Sequence, residues 1–171
     1  MTVREARPGE LDEVRDLLHT AYVQYAGVAH PELYGHYLAE LTNVERSAGL
    51  ATTLVAVDDG RIVGTARLYP PGAAVGDEGL PAGWAWVRAV AVRPELRRAG
   101  IARRLMADCT RRATDIGATV LCLHTMAFMV DAIRLYERLG YRRVPELDID
   151  VAAFYGVGEM IALAYRLDLT P

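Results

Sequence analysis

The strongest chemical bias in the chain lies between Val90 and Arg104, in the run Val-Ala-Val-Arg-Pro-Glu-Leu-Arg-Arg-Ala-Gly-Ile-Ala-Arg-Arg. It begins as the end of an apolar strand, turns through Pro94, and opens a helix with Gly100 and Ala102 at its start. First-turn N–H groups of a helix have no internal partner and sit at the positive end of its dipole, so a phosphate can settle there when no side chain blocks it. Gly100 and Ala102 keep that approach clear. Around them Arg97, Arg98 and Arg103 supply guanidinium groups that grip phosphate oxygens in pairs. With Ala99 and Ile101 completing the loop, the pattern points to an anion site for a pyrophosphate. Taken alone, the same residues would also make a solvated basic helix start; the strand before them and the amphipathic helix after them favour the site.

Two further residues stand out by their surroundings. Arg88 interrupts an almost wholly apolar strand from Trp84 to Val92, and a charge there is costly unless an anion meets it. That anion is either an internal carboxylate, such as Glu78 or a later acid, or a carboxylate on a substrate. His124 falls near the C-terminal end of a strand from Thr119 to Thr125, where open α/β sheets place their ligands. It is either a satisfied buried histidine or a secondary proton-transfer group.

The elements that position these residues follow from spacing. Val3 to Arg7 alternates as an edge strand before Pro8-Gly9. Leu11, Val14, Leu17, Leu18, Ala21, Tyr22 and Tyr25 form a helical stripe. A second helix is expected from Glu32 to about Ala48, after which Thr52–Val57 and Ile62–Leu68 flank Asp-Asp-Gly as a hairpin. Tyr69 to Gly83 reads as loop. The strand Trp84–Val92 is apolar enough to lie inside a sheet. A helix from Ile101 to Ile116, capped by Gly117, then leads to the Thr119 strand, which a strand-helix-strand crossover places parallel to Trp84–Val92. Ala132–Leu139 is a short helix ended by Gly140-Tyr141, an extended segment runs to Val144, Pro145–Glu159 is an acidic loop, and Met160–Leu169 is a last strand. The first two helices carry Tyr22, Tyr25, Tyr34 and Tyr37 with His19, His30 and His36. These side chains either pack and solvate, or contribute one or two members to a small polar pocket.

The totals narrow the class. A chain of 171 residues matches one α/β domain, residues 1–171. A net charge of −3 without long basic runs gives no reason to expect nucleic-acid or membrane-surface binding. Cys109 and Cys122 fit no zinc or redox spacing, so no metal is expected and buried thiols in a reducing compartment are. No signal-peptide pattern or membrane-length apolar run is present, and a cytoplasmic protein is expected. The sequence leaves room for a homodimer.

The order of hairpin, apolar strand, Val-Ala-Val-x-Pro-x-x-Arg-x-x-Gly-x-Ala, helix, strand and Ala-x-x-Leu-Tyr-x-x-Leu-Gly-Tyr resembles the GCN5-related N-acetyltransferases (GNAT) from about Thr52 onward. The resemblance implies an α/β, α+β mixed-sheet fold: a mostly antiparallel central sheet with one parallel strand pair, flanked by helices. It implies acetyl-CoA as co-substrate, with the pyrophosphate on Arg97, Arg98, Ala99, Gly100, Ile101, Ala102 and Arg103, and the pantetheine arm paired with the backbone of Val90, Ala91 and Val92. It also implies that Tyr136 protonates the departing thiolate, while a backbone N–H near Val90 polarises the thioester carbonyl. The acceptor would be a primary amine of a small molecule or a peptide. Two departures are visible. The central strand has no glutamate between Trp84 and Val92, leaving proton removal to water, His124 or an acid from the Glu146–Glu159 loop. Met129 stands where relatives often carry an asparagine. A non-catalytic acyl-CoA-binding module and an enzyme using a longer acyl-CoA are the competing expectations.

Overall fold

The computed structural model describes residues 1–28, 30–73, 81–156 and 158–169. In chain order they form β1 (Thr2–Glu5), α1 (Leu11–Tyr22), α2 (Pro31–Thr42), β2 (Thr52–Asp58), β3 (Arg61–Tyr69), β4 (Trp84–Val92), α3 (Ile101–Asp115), β5 (Val120–Met126), α4 (Val130–Arg138), β6 (Arg142–Arg143), β7 (Ile149–Asp150), α5 (Val151–Tyr155) and β8 (Ile161–Asp168). One sheet has the order β1-β2-β3-β4-β5-β8-β6, with β7 also on β8. Among the described residues only β4 and β5 pair in parallel; the remaining pairs are antiparallel. The result is a mixed, mostly antiparallel sheet flanked by helices.

Alternation along the strands divides the core between the two faces of the sheet. Leu54, Ala66 and Leu123 pack with Ile101, Leu105 and Cys109 of α3. On the other face Val55, Ile62 and Ala91 pack with Val14, Leu17 and Leu18 of α1. Both cysteines are buried and unpaired, and burial pushes each thiol up to about 12, which leaves them protonated and unreactive. The start of α1 is tied to β1 by Glu10. Its carboxylate accepts from Arg4 at 2.7 Å through each oxygen and from the Arg7 N–H at 2.8 Å, and these bonds hold it down at about 2.

Gly64 on β3 brings α3 close to the sheet. A Cβ at this position would lie 2.9 Å from Ile101 Cγ2, 3.0 Å from Leu105 Cδ1 and 3.1 Å from the Ala91 carbonyl. The missing side chain therefore sets the height of the first turn of α3 above the sheet.

Several expected boundaries shift. The second helix ends at Thr42, well short of Ala48: Asn43 leaves helical geometry and its Oδ1 accepts from the Arg46 N–H at 3.1 Å, opening a separate turn over Glu45–Ser47. The first helix tightens after Tyr22 into a turn over Val23–Tyr25. The edge strand stops at Glu5, two residues before Arg7, and the short helix starts at Val130, two before Ala132. The acidic segment expected as loop contains β7 and α5, with Asp150 capping Ala153 at 3.1 Å and Gly156 ending the helix at φ 69°. Of the loop expected from Tyr69 to Gly83, Tyr69 closes β3 and residues 74–80, including Glu78, lie outside the described residues.

Candidate active site

The parallel register of β4 and β5 runs from Trp84 opposite Val120 to Val87 opposite Leu123 and ends there. Beyond it β4 continues along β3 to Val92, while β5 continues along β8 to Met126. The two strands part, and a cleft of about 1410 Å³ opens between them. At the point of parting β4 carries a bulge: Arg67 faces Arg88 and Thr65 faces Ala91, so Ala89 and Val90 together oppose Ala66. Ala89 takes φ 53°, a conformation costing an alanine about 1–3 kcal/mol. Tyr22, at the end of α1, donates its hydroxyl to the Val90 carbonyl at 3.2 Å and holds the bulge from above.

At one end of the cleft lies the loop before α3. Gly100 caps that helix at φ 78° with no side-chain cap, Arg98 also takes a positive φ of 66°, and no atom lies within 4 Å of where a Gly100 Cβ would sit. Arg104 is the first N–H to close a helical bond, to Gly100 at 3.1 Å. The first-turn N–H groups before it are thus available to an anion. Arg97 is held by the end of α1 and the turn after it, donating to the Ala21 carbonyl at 3.0 Å and to Gln24 Oε1 at 2.8 Å. Arg98 and Arg103 are exposed and make no ion pair among the described residues. Val90, Ala91, Val92, Arg97, Arg98, Gly100, Ile101, Ala102 and Arg103 all line the cleft, whereas Ala99 does not.

Arg88, His124 and Tyr136 line the same cleft. Tyr136 on α4 is buried, and burial first, then the neighbouring phenols Tyr22 and Tyr141, push its hydroxyl well above the ordinary tyrosine value. It is a protonated phenol at any working pH. His124 Nε2 lies 2.9 Å from the Leu147 carbonyl, which assigns the proton to Nε2 and leaves Nδ1 as a buried acceptor without a partner. Burial, opposed by that bond, lowers its pKa. Arg88 stacks its guanidinium carbon 4.7 Å from the Trp86 ring centroid and meets no carboxylate among the described residues. Met129 is buried at the entry to α4, its sulfur 3.7 Å from Thr125 Oγ1.

The acids between Glu146 and Glu159 do not reach the cleft. Asp148 is bound by Arg143 at 2.8 Å and by the Ala164 N–H at 2.8 Å, which lowers its pKa; Asp150 caps α5. Among the described residues the carboxylates lining the cleft are Glu40, paired with Arg46, and Asp131. No group of three or more metal-ligating side chains occurs among the described residues.

Sequence reasoning missed Arg67, Tyr69, Trp86 and Ser47, which line the far end of the cleft, and left open which tyrosines join them; Tyr22, Tyr25 and Tyr37 do. Arg67 carried the same signal as Arg88, a charge inside an apolar strand.

A family model described as acetyltransferase (GNAT) family matches residues 11–141, and the chain belongs to that family. Among solved structures the fold is similar to the PaiA N-acetyltransferase of Thermoplasma acidophilum in complex with coenzyme A, at 15% identity and TM-score 0.72 over 98% of both chains. It is similar to a GNAT family acetyltransferase of Brucella melitensis in complex with acetyl-CoA, at 21% identity and TM-score 0.62 over 99% of this chain and 88% of that one. It is also similar to the ribosomal-protein-S18-alanine N-acetyltransferase of Escherichia coli, at 17% identity and TM-score 0.67 over 99% and 94%. A search of curated proteins finds no match.

Proposed function

We propose that this chain is an acetyl-CoA-dependent N-acetyltransferase that moves the acetyl group directly to a primary amine, with Tyr136 as general acid. The observation that carries the reading is that the phosphate cradle before α3 and the protonated phenol of Tyr136 open on one cleft. The cradle fits the cofactor's pyrophosphate: its donors lack internal partners and Gly100 leaves space. Among the described residues the edge of β4 from Val90 to Val92 has no strand on its β5 side, and it fits the amide-bearing pantetheine arm. When bound, acetyl-CoA supplies an acetyl group activated as a thioester.

The protein's part is positioning and proton handling. The bulge turns the Val90 backbone out of the ladder, where its N–H serves as the donor to a thioester oxygen. Tyr136 keeps a proton at its Oη for the departing sulfur. His124, with Nε2–H committed to Leu147 and its Nδ1 buried, is poorly placed to take the amine proton; water in the cleft does that task. Arg88 lines the same cleft and, in this reading, serves a carboxylate on the acceptor.

The test is thiol release from acetyl-CoA over a panel of amines, with product masses measured. Tyr136→Phe is expected to lower kcat by about 10²-fold or more while the KM for acetyl-CoA changes less than threefold. Full activity in that variant removes Tyr136 from the acid role. Tight CoA binding without turnover on any amine identifies a binding module, and faster turnover with longer thioesters changes the donor. A peptide amine is the second reading for the acceptor, favoured by the likeness to the Escherichia coli enzyme named for ribosomal protein S18 alanine.

A further inference from the structure

Arg67 and Arg88 are directly opposed on β3 and β4. Opposed residues of neighbouring strands project to the same face, and like charges there destabilise a sheet. Arg67 is only 4% exposed. It donates to Ser47 Oγ at 3.1 Å and to the Leu41 carbonyl near the end of α2, and its Nε is buried with no partner. Among the described residues Arg88 has the face of Trp86 as its partner and no hydrogen bond or ion pair. The Trp86 Nε1 is a second buried donor without a partner. No carboxylate among the described residues meets either arginine; Glu40, on the same wall, is taken by Arg46. Two guanidinium groups, one with its Nε unpartnered, and the indole N–H of Trp86 line one cleft, and among the described residues they meet no anion.

We infer that this is a carboxylate subsite built by Arg67, Arg88 and Trp86, and that the acceptor is a free amino acid in preference to a peptide N-terminus. The inference rests on the acetyl-transfer reading for the location of the amine. Arg88 precedes Val90 by two positions across the bulge, so a carboxylate on Arg88 and an amine at the bulge are close enough to belong to one small molecule. A peptide N-terminus offers a neutral amide where the carboxylate would lie and leaves both cations unmet.

The experiment compares L-amino acids with their amides and with short peptides as acceptors, in the intact protein and in Arg88→Gln and Arg88→Lys. It also measures carboxylate binding without turnover, through quenching of tryptophan fluorescence by the same amino acids. Free acids are expected to exceed their amides in kcat/KM by about 10- to 100-fold, the range for a lost charge-assisted hydrogen bond. That gap should collapse in Arg88→Gln and partly return in Arg88→Lys. Arg67→Gln removes a buried side chain that also holds α2. Its melting temperature is read alongside, and a folded variant is expected to lose carboxylate binding. If no amine turns over yet amino acids still quench the fluorescence in an Arg88-dependent way, the transfer reading fails and the carboxylate subsite stands. Equal turnover of acids and amides, or no Arg88-dependent binding of any carboxylate, overturns the subsite.

Discussion

His124 shows how one side chain links burial to pH. Burial lowers its pKa against the bond to Leu147, so the unfolded chain takes up the proton first as pH falls below about 6.5. Stability is then fully present above that value and declines as pH drops through the lower, folded pKa. His124→Gln keeps a donor for the Leu147 carbonyl and cannot titrate. Its melting temperature is expected to fall less between pH 7 and pH 5 than that of the parent, in a series of thermal melts. A parallel decline in both proteins would place the acid sensitivity elsewhere.

Among the elements, the approach of α3 to β3 at Gly64 matters most, since it sets where the proposed phosphate cradle stands. An added methyl meets one side-chain end that can rotate, Leu105 Cδ1, and two atoms that cannot, the branch methyl of Ile101 and the Ala91 carbonyl. Gly64→Ala should cost about 1–3 kcal/mol through overpacking and raise the Kd for CoA by displacing the first turn of α3. Calorimetric titration alongside a thermal melt checks both effects; an unchanged Kd with a lowered Tm would confine the damage to packing. This scale also shows what the sequence disclosed. The helix opening at Ile101 was legible because an amphipathic run follows Gly100, and Trp84–Val92 because an unbroken apolar run has few places to go. The end of α2 was not, since Asn43 stops it by a local hydrogen bond that periodicity does not register. The bulge was also hidden: Ala89 adopts a positive φ that nothing in an alanine announces. Arg67 was overlooked beside Arg88 because its neighbour across the ladder becomes apparent only with the register.

For the molecule as a whole, net charge and local charge point in opposite directions. The chain carries −3, yet the cleft is lined by Arg46, Arg67, Arg88, Arg97, Arg98, Arg103, Arg134 and Arg138 against Glu40 and Asp131. Such a concentration draws a polyanion toward the opening and is screened by salt over roughly 10 Å at 0.1 M. The KM for acetyl-CoA is accordingly expected to rise about threefold or more between roughly 20 and 300 mM KCl, with kcat little changed, in steady-state assays. A KM insensitive to salt would show that these arginines serve packing or the acceptor alone.

The parting of β4 and β5 gives this sheet a border in its interior. The outer borders are short, four residues in β1 and two in β6, as suits margins that must not recruit stray chains. The inner one follows the longer β4 strand past Val87 and cannot be shortened without losing the cleft. A molecule that fills it completes the ladder and protects the protein from unwanted strand pairing. Under the proposed seating of acetyl-CoA along β4, the ligand-free protein is the form expected to associate more readily.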